Sequence, residues 1–214
     1  MFKFDRYRYI FPPRPKNAIP VDNIADYDNN SMICQAKMNG SNVSIYSNGY
    51  DVRVMNRHNQ PLTNFQLSKE EILRDLHKSA LGQWQVTNGE YLNKNKIECG
   101  KSFNHKLIIF DILVFESDHL VGSTFSDRIQ ILDKSYGIKD SEKPYLYGVS
   151  DNIYRVKSYN SEFRDLYTKL TEHSDVVEGI VMKRKNARLE IGNTKDNNAR
   201  SQIKCRVETK NYKF

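Results

Sequence analysis

Apolar and polar residues alternate at a period of two in much of the first half of the chain, as they do in half-buried strands. Residues 32–37 alternate up to a lysine, and the Asn39-Gly40 pair that follows predicts a tight turn. Residues 43–54 alternate on both sides of Ser47-Asn48-Gly49, which predicts a hairpin. By the same criteria, further strands are predicted at 84–92, at 106–115, within 145–157, at 176–184 and at 202–207.

Other segments carry apolar residues at the 3.6-residue spacing of amphipathic helices. Residues 68–80 begin with Ser68 and Glu71, which form a capping-box pattern. The buried stripe of this helix is expected to consist of Ile72, Leu73, Leu76 and Ala80. Two more helices are predicted at 126–136, with Gly137 as the C-cap, and at 161–172.

The remaining segments are predicted to be irregular. Phe11-Pro12-Pro13-Arg14-Pro15 excludes a regular helix or a central strand, because proline lacks the N–H donor, so we expect an extended surface leader. Residues 22–30 and 195–199 are polar and are predicted to be loops. Since the helices do not alternate regularly with the strands, the sequence predicts an α+β fold of mostly antiparallel sheets with flanking helices.

Composition narrows the class of protein. The length of 214 residues and the hydrophobic content of 38% allow one substantial core, so residues 1–214 are predicted to form a single domain. The 33 basic residues against 26 acidic ones suit a polyanionic partner such as nucleic acid, although a merely solubilising surface fits equally well. Three separated cysteines argue against a disulfide framework, and the five histidines lack zinc-ligand spacing. With no membrane-length apolar run and no signal-peptide pattern, the expected location is the cytoplasm.

Lys37 is the first residue that suggests chemistry, because it stands at a strand end directly before a tight turn. A lysine attacks as the neutral amine, so a nucleophilic lysine needs burial or neighbouring positive charge to lower its pKa. Lys183, Lys204 and Arg206 could supply that charge if the last predicted strands flank the first one. Taken alone, however, a lysine before a turn is more often an ordinary surface residue.

The segment Ala36-Lys37-Met38-Asn39-Gly40 resembles motif I of the covalent nucleotidyltransferases, the superfamily of polynucleotide ligases and mRNA capping enzymes. Val177-Glu178-Gly179-Ile180-Val181-Met182-Lys183 closely resembles motif IV of that superfamily. The other similar segments, which follow in the family's order, are Met55-Asn56-Arg57-His58, Asn88-Gly89-Glu90-Tyr91-Leu92, Ile109-Phe110-Asp111-Ile112-Leu113 and Ile203-Lys204-Cys205-Arg206. Ordered agreement over most of the chain makes chance improbable.

The resemblance implies that Lys37 attacks the α-phosphate of ATP, expels pyrophosphate and carries the AMP. It also implies that Glu90 accepts a hydrogen bond from a ribose hydroxyl and that Phe110 stacks on the adenine. Gln35 offers a carbonyl acceptor to the adenine amino group. Seen alone, Phe110 lies in a strongly apolar strand and would be assigned to the core.

The charged residues of the motifs are implied to hold metal and phosphate. Glu178 is the expected ligand of Mg²⁺ or Mn²⁺, since hard cations prefer carboxylate oxygen. Lys183 and Lys204 are expected to hold the phosphates and offset the charge that develops on them, and Arg57 to bind a phosphate as a fork. Arg206 either touches phosphate or closes the sheet edge. Without the motifs, Glu178 and Lys183 could be an exposed charged pair.

Two positions separate the branches of the superfamily. Asn42 and Asn39 resemble the RNA-ligase-2 and RNA-editing ligase branch, and Asn42 is therefore counted among the nucleotide-binding residues. By contrast, Pro12-Pro13-Arg14-Pro15 and residues 122–128 are similar to stretches of some small, DNA-ligase-like phage proteins. We expect an ATP-dependent RNA ligase that joins a 5′-phosphate to a 3′-hydroxyl. A DNA ligase is the main alternative, and a GTP-dependent capping enzyme and a non-catalytic nucleic-acid-binding module are the others.

The chain ends eight residues after Arg206, whereas the families that it resembles continue into an OB-fold or a helical C-terminal domain. The expectation is therefore a catalytic domain without either of these, with a partner domain or protein possible for sealing. The segment Arg6-Tyr7-Arg8-Tyr9 is a candidate contact to nucleic acid, with packing on the protein surface as the alternative.

Overall fold

A computed structural model of the chain describes residues 11–93, 96–98, 100–172, 174–191 and 198–208. The segment 6–9, singled out above as a candidate nucleic-acid contact, lies outside these ranges. So does the part 195–197 of the predicted loop.

More of the described residues lie in strands than in helices. They are β1 (Arg14–Ala18), β2 (Met32–Met38), β3 (Ser41–Ser47), β4 (Val52–Asn56), β5 (Gln85–Leu92), β6 (Ile97–Glu98), β7 (Lys101–Ser102), β8 (Lys106–Phe115), β9 (Asp118–His119), β10 (Leu146–Gly148), β11 (Ile153–Val156), β12 (Val177–Arg184) and β13 (Asn198–Arg206). The helices are α1 (Lys69–Glu71), which continues as a π-helical segment (Ile72–Leu76), α2 (Phe125–Tyr136) and α3 (Phe163–Thr171). A 3₁₀ helix spans Val21–Tyr27.

Within the described residues, the strands form two main sheets and one small hairpin. The first sheet has the order β1-β13-β12-β2, and the second has the order β10-β11-β8-β5-β3-β4 with β9 beside β8. Neighbouring strands are antiparallel except for the pairs β1–β13 and β11–β8. The predicted α+β fold of mostly antiparallel sheets with flanking helices is therefore confirmed.

The turn at Asn39-Gly40 carries the chain from one sheet to the other. β2 before the turn pairs with β12, whereas β3 after it pairs with β4 and β5. A Cβ on Gly40 would lie 2.5 Å from the carbonyl oxygen of Tyr91, so only glycine lets the crossing pass this close to β5. The side chain of Asn39 donates to the carbonyl oxygen of Asp175 at 3.1 Å and so ties the turn to the approach to β12.

Buried side chains join the sheets and helices through a common core. One group of them spans both sheets and the inner face of α3, and includes Met32, Cys34, Ala36, Ile108, Leu146, Val156, Phe163, Leu166, Ile180 and Ile203. A second group lies between the other face of the large sheet and α2, and includes Val43, Ile45, Ile72, Leu76, Ile109, Ile112, Phe125, Ile129 and Leu132. The large sheet is therefore covered on both faces, and the small sheet packs against one of them.

Most predicted elements agree with the structure, including the hairpin β3–β4, the ten-residue strand β8 and the helix α2. Gly137 is the C-cap of α2, as predicted, and its φ is 67°. Arg14–Ala18, in the expected surface leader, is an edge strand. Pro15 is tolerated there because an edge strand leaves one side of its backbone unpaired.

Three predictions of local structure were wrong. Residues 22–30 were expected to form a loop, but Val21–Tyr27 is a 3₁₀ helix because Ile24 is fully buried in the core. The helix predicted over 68–80 ends at Leu76, and Ala80 is exposed rather than part of a buried stripe. Ala199, placed in a loop, belongs to β13, which begins four residues earlier than predicted because β1 pairs with it from Asn198 onward.

Candidate active site

Three neighbouring strands bring three charged residues of the motifs together. In the register of the small sheet, Lys37 on β2 and Arg206 on β13 both lie opposite Gly179 of β12. The amine of Lys37 contacts Oε1 of Glu178, and Nη2 of Arg206 donates to Oε2 of Glu178 at 2.7 Å. One carboxylate thus lies between two cations that are 169 positions apart in the sequence and that this sheet brings together. The side chain of Lys37 is 22% exposed, so the amine is accessible from the cleft.

Gly179 makes this arrangement possible. Its φ is +145°, and the pairing of β12 with β2 shifts register between Val177 and Gly179. A Cβ at this position would lie 2.0 Å from the carbonyl oxygen of Cys205. The irregularity at the glycine directs Glu178 into the same outer cavity as Lys37 and Arg206. Glycine is therefore required at this position because a side chain would collide with the neighbouring strand β13. The requirement does not depend on a ligand.

A pocket of about 120 Å³ lies beside Lys37, between the two sheets. The small sheet contributes Gln35, Val181, Lys183 and Gln202, and the large sheet contributes Asn42, Glu90 and Phe110. Phe110 is half-buried, so its ring both packs on the core and faces the pocket. An aromatic ring at a narrow cleft between sheets is suited to stacking against a planar base.

Lys183 and Gln35 form the floor of this pocket. Nζ of Lys183 donates to Oε1 of Gln35 at 2.8 Å, and it lies 4.9 Å from the ring centroid of Phe110 and 4.6 Å from that of Phe125. Nε2 of Gln35 in turn donates to Oγ of Ser158 at 3.1 Å. Burial lowers the pKa of Lys183 to about 8, although nearby Asp111 acts in the opposite direction. The amide of Gln35 is therefore held in one orientation.

Lys183 stands apart from the other motif cations. It is four residues beyond Gly179 along β12, which corresponds to about 13 Å at the usual rise of a strand. It lines the pocket of Phe110, whereas Lys204 and Arg206 line the outer cavity with Lys37. The sequence grouped Lys183 with Lys204 as phosphate-holding residues, but in the structure the two line different cavities.

Glu90 and Asn42 lie on neighbouring strands of the large sheet at the other side of Lys37. Oε1 of Glu90 accepts a hydrogen bond from the backbone N–H of Gly40 at 3.3 Å, and Nδ2 of Asn42 donates to the carbonyl oxygen of Gly89 at 3.2 Å. Burial raises the pKa of Glu90 to about 7, and the Glu178 carboxylate adds to this, while the cation of Lys37 opposes it. Glu90 is therefore poised between its neutral and ionised forms near neutral pH.

An outer cavity of about 700 Å³ adjoins the pocket and is rich in cations. Lys37, Arg57, Lys204 and Arg206 line it, together with Glu90 and Glu178. Burial lowers the pKa of Lys204, and the positive charges of Lys37, Arg206 and Arg14 lower it further. Arg57 lies at the rim, where its Nε donates to Nε2 of His58 at 3.1 Å. Such a concentration of cations suits a polyphosphate.

Two contributors to the site were missed by sequence reasoning, namely the segment of Pro12, Pro13 and Arg14, and Arg128 as the partner of Asp111. Pro12, Pro13 and Arg14 line the pocket because β1 pairs in parallel with β13, a long-range pairing that no local pattern reveals. Asp111, which follows the aromatic residue of its motif, forms a buried ion pair with Arg128 of α2 at 2.7 and 3.0 Å. This pair anchors α2 to β8 directly behind Phe110. A buried arginine could have been suspected only from its position on the apolar face of the helix.

The acidic residues of the site suit a metal ion that is shared with substrate. The part of the chain that the structure describes holds no cluster of three or more histidine, cysteine, aspartate or glutamate side chains. Glu178 offers one carboxylate, whose oxygens contact Lys37 and Arg206. Mg²⁺ is commonly bound by one or two carboxylates together with phosphates and water, so the residues fit an ion of that kind.

The comparisons with known proteins agree with this geometry. The sequence model of the RNA ligase family matches residues 30–205, which is most of the chain and includes every motif residue from Gln35 to Lys204. The chain belongs to the RNA ligase family. Its class is accordingly that of the polynucleotide ligases of the nucleotidyltransferase type. A comparison with curated protein sequences finds no match.

Solved structures of ligases share the fold of this RNA ligase family member. A mycobacterial DNA ligase D complexed with ATP and MES has a TM-score of 0.64 and 16% identity, over 96% of this chain and 62% of that one. An archaeal ATP-dependent RNA ligase has a TM-score of 0.52 and 15% identity, over 91% of this chain and 48% of that one. Chlorella virus DNA ligase-adenylate has a TM-score of 0.54 and 14% identity, over 90% of this chain and 66% of that one. The chain thus spans about three fifths of the first of these structures, and the likeness concerns the fold.

No helix in the described ranges is both long enough and apolar enough to cross a membrane.

Proposed function

We propose that this protein is an ATP-dependent RNA ligase that acts through a lysyl-AMP intermediate. The Nζ of Lys37 attacks the α-phosphorus of ATP, a P–N bond forms, the bond to the β-phosphate oxygen breaks, and pyrophosphate leaves while the amine loses a proton. A 5′-phosphate end then attacks the same phosphorus and takes the AMP from Lys37. Finally, a 3′-hydroxyl attacks the activated 5′-phosphate, a phosphodiester forms, and AMP leaves.

The observation that carries the proposal is the position of Lys37 between a cleft for a base and a cavity for phosphates. Phe110 and Gln35 lie on one side of it, and Lys204, Arg206 and Arg57 lie on the other. A nucleoside triphosphate that stacks its base on Phe110 therefore directs its phosphates past the amine. Such positioning of nucleophile and electrophile, together with cations that offset the developing charge, lowers the barrier to the transfer.

Each remaining motif residue has a proposed task. The ionised carboxylate of Glu90 accepts a hydrogen bond from a ribose hydroxyl. Asn42, on the neighbouring strand, lines the same side of the pocket. Lys204 and Arg206 bind phosphate oxygens, and Arg57 closes the rim of the cavity as a fork. We assign Lys183 to the base end, where it fixes the carbonyl oxygen of Gln35, in place of the phosphate contact that the sequence suggested.

Glu178 is the proposed ligand of a divalent ion. When bound, Mg²⁺ or Mn²⁺ would neutralise phosphate charge at the α-phosphorus. In the structure Glu178 pairs with Lys37, and an ion-paired ammonium has no lone pair with which to attack. The ammonium must therefore pass a proton to the carboxylate or to water before Lys37 reacts, and Arg206, on the other oxygen of Glu178, keeps the carboxylate in position.

The choice of nucleotide and of nucleic acid rests on two kinds of support. ATP is supported because similar structures include an ATP complex and a ligase-adenylate. RNA is supported by the match to the RNA ligase family and by Asn42, which resembles the RNA-ligase branch. The two sheets share one cleft, which supports the view that this chain works as one adenylyltransferase domain. A partner domain or protein that helps to engage the ends remains part of the proposal.

The test is covalent labelling with α-labelled ATP or GTP and Mg²⁺ or Mn²⁺, followed by denaturing electrophoresis. We expect a labelled band from ATP that is absent from Lys37→Ala. A control, Lys134→Ala, changes an exposed lysine of α2 outside the cleft and should label normally. Covalent labelling of Lys37→Ala would contradict the proposal. Labelling by GTP in preference to ATP would favour a capping enzyme.

A sealing assay with the pre-adenylylated protein then tests whether the substrate is RNA or DNA. We expect it to seal a 5′-phosphorylated nick in an RNA duplex faster than the same nick in DNA. A preference for the DNA nick would replace RNA ligase by DNA ligase and leave the lysyl-AMP chemistry untouched.

A further inference from the structure

A separate cavity of about 380 Å³ lies on the far side of Lys183 from Lys37. It shares Pro13, Lys183 and Gln202 with the nucleotide pocket, so the two cavities adjoin through one wall. The proposed reaction does not assign any part of the substrate to this cavity. Its position puts it in line with the cleft, beyond the end that holds the base.

Arginine side chains make this cavity positively charged. Arg184, Arg188 and Arg200 line it, and Glu190 is the acidic residue among its lining. Arg184 and Arg200 are exposed, and in the described ranges neither forms an ion pair. Arg188 donates through Nη1 to the carbonyl oxygen of Gly122 at 3.2 Å, which holds its guanidinium at the wall. The cavity therefore has an excess of positive charge.

Two other cations at the cavity already have partners. Arg128 is committed to Asp111 by a bidentate ion pair, and Lys183 donates to Gln35. The charge that is available to a ligand therefore belongs to Arg184, Arg188 and Arg200. Guanidinium groups bind phosphate oxygens through two parallel N–H donors, and they do so better than lysine ammonium groups.

Distance along β12 separates this cavity from the reaction centre. Lys37 lies opposite Gly179, and Arg184 is five residues further along the strand, which corresponds to about 17 Å. The phosphates of an ATP that reacts at Lys37 point into the outer cavity with Lys204 and Arg206, on the opposite side of the base pocket. A phosphate at Arg184 must therefore come from another molecule or from a longer one.

We propose that Arg184, Arg188 and Arg200 form a phosphodiester-binding site for the polynucleotide strand, several nucleotides away from the end that reacts at Lys37. At about 3.4 Å per stacked nucleotide, 17 Å corresponds to about five phosphates. The site would contribute affinity through the backbone and would be insensitive to base sequence. This inference rests on the proposed function of the cleft, because a polynucleotide is its ligand.

The decisive variant is Arg184→Ala/Arg200→Ala, which removes two exposed charges and no described ion pair. The matched control is Lys134→Ala/Lys139→Ala, which removes two exposed lysines from α2 and the segment after it. The probe is a fluorescent, 5′-phosphorylated RNA whose binding is measured over a range of salt concentrations. Labelling of Lys37 by ATP is measured on the same samples.

We expect the arginine variant to bind a strand of about fifteen nucleotides on the order of tenfold more weakly at 0.1 M salt than wild type. The slope of log affinity against log salt should fall by about 1.4, since each lost phosphate contact on a single strand accounts for about 0.7. A strand of about three nucleotides is too short to reach the site and should bind both proteins alike. The lysine control should bind the longer strand as wild type does, and all proteins should form the Lys37 adduct at equal rates.

Equal binding by the arginine variant and its control would overturn the inference. So would slower adduct formation with unchanged strand binding, because the cavity would then serve ATP. If wild type forms no adduct at all, the proposed ligase chemistry fails, whereas the comparison of strand binding still decides whether this cavity holds a phosphodiester.

Discussion

Glu178 contacts the amine of Lys37 directly from the neighbouring strand, so the nucleophile of the proposed reaction forms an ion pair with the residue proposed to bind metal. The same carboxylate binds Arg206 through its other oxygen. Three functional groups that lie far apart in sequence thus form one charged unit.

Replacing Glu178 tests whether this unit serves catalysis. We expect Glu178→Gln to slow formation of the lysyl-AMP adduct by about 100-fold or more, because it removes the carboxylate proposed to bind the charge-neutralising divalent ion while keeping the shape of the side chain. The measurement is the single-turnover rate of labelling at saturating ATP. Glu98→Gln serves as a control, because Glu98 is buried beside Tyr145 and Ser174, outside the cleft. A Glu178→Gln protein that labels at the wild-type rate would remove Glu178 from the mechanism.

Gly179 should be intolerant of any side chain. We expect Gly179→Ala to lower the free energy of unfolding by at least about 3 kcal/mol, because the new Cβ would collide with a backbone oxygen and the φ of +145° is unfavourable for alanine. The measurement is urea denaturation. Gly122→Ala is the matched control, since Gly122 also has a positive φ, of +89°, but open space around it. If the two variants lose equal stability, the collision with Cys205 is not what selects glycine.

Stability should depend on pH through Glu90. Its pKa is raised to about 7 in the folded protein, above the ordinary value of 4.5, so between these values the folded state holds a proton that the unfolded state has lost. The contribution of Glu90 is therefore most favourable at low pH and declines as pH rises from about 4.5 to about 7. Glu90→Gln should remove this decline. Urea denaturation at pH 4.5, 6 and 7.5 measures it. Parallel pH profiles for the two proteins would contradict the raised pKa.

The ion pair between Asp111 and Arg128 should behave as a buried pair. Arg128→Met leaves the Asp111 carboxylate without its partner and should lower the free energy of unfolding by about 3 to 5 kcal/mol. The double variant Asp111→Leu/Arg128→Met should recover most of that loss, because no unpaired charge remains. Thermal and urea denaturation of wild type, the two single variants and the double variant completes the cycle. Arg74→Ala, in the exposed pair with Asp75, should change stability little, and a loss as large as that of Arg128→Met would show that burial is not the cause.

Sequence reasoning located the elements and motifs, because both depend on local patterns. The alternation at 43–54 and the apolar run of β8 located these strands, although residues 43–47 of β3 are buried on both faces rather than on one. Val21–Tyr27 could not be recognised, since its polar composition hides the one buried residue, Ile24, that attaches it to the core. The end of the helix after Leu76 was missed for a similar reason, because the next residues turn toward the hydrogen-bonding side chain of Gln85 rather than continue the repeat.

Which residues of the site lie together depends on strand pairing. The parallel pairing of β1 with β13 brings Arg14 into the outer cavity that Lys204 also lines, and no spacing in the sequence encodes it. The separation of Lys183 from Lys204 likewise follows from the register of β12, in which Val181 rather than Lys183 lies opposite Lys204. Motifs identify residue types, whereas register determines which of them share a ligand.

The crossing at Asn39-Gly40 has a mechanical consequence. Because the chain passes between the sheets within two residues of Lys37, the nucleophile lies at the pivot of any opening or closing of the cleft. Points near a pivot move least, so a change in the separation of the sheets would displace Lys37 less than residues further from the crossing. The cleft could therefore widen to admit a base or release a product with little displacement of the amine that forms the covalent bond.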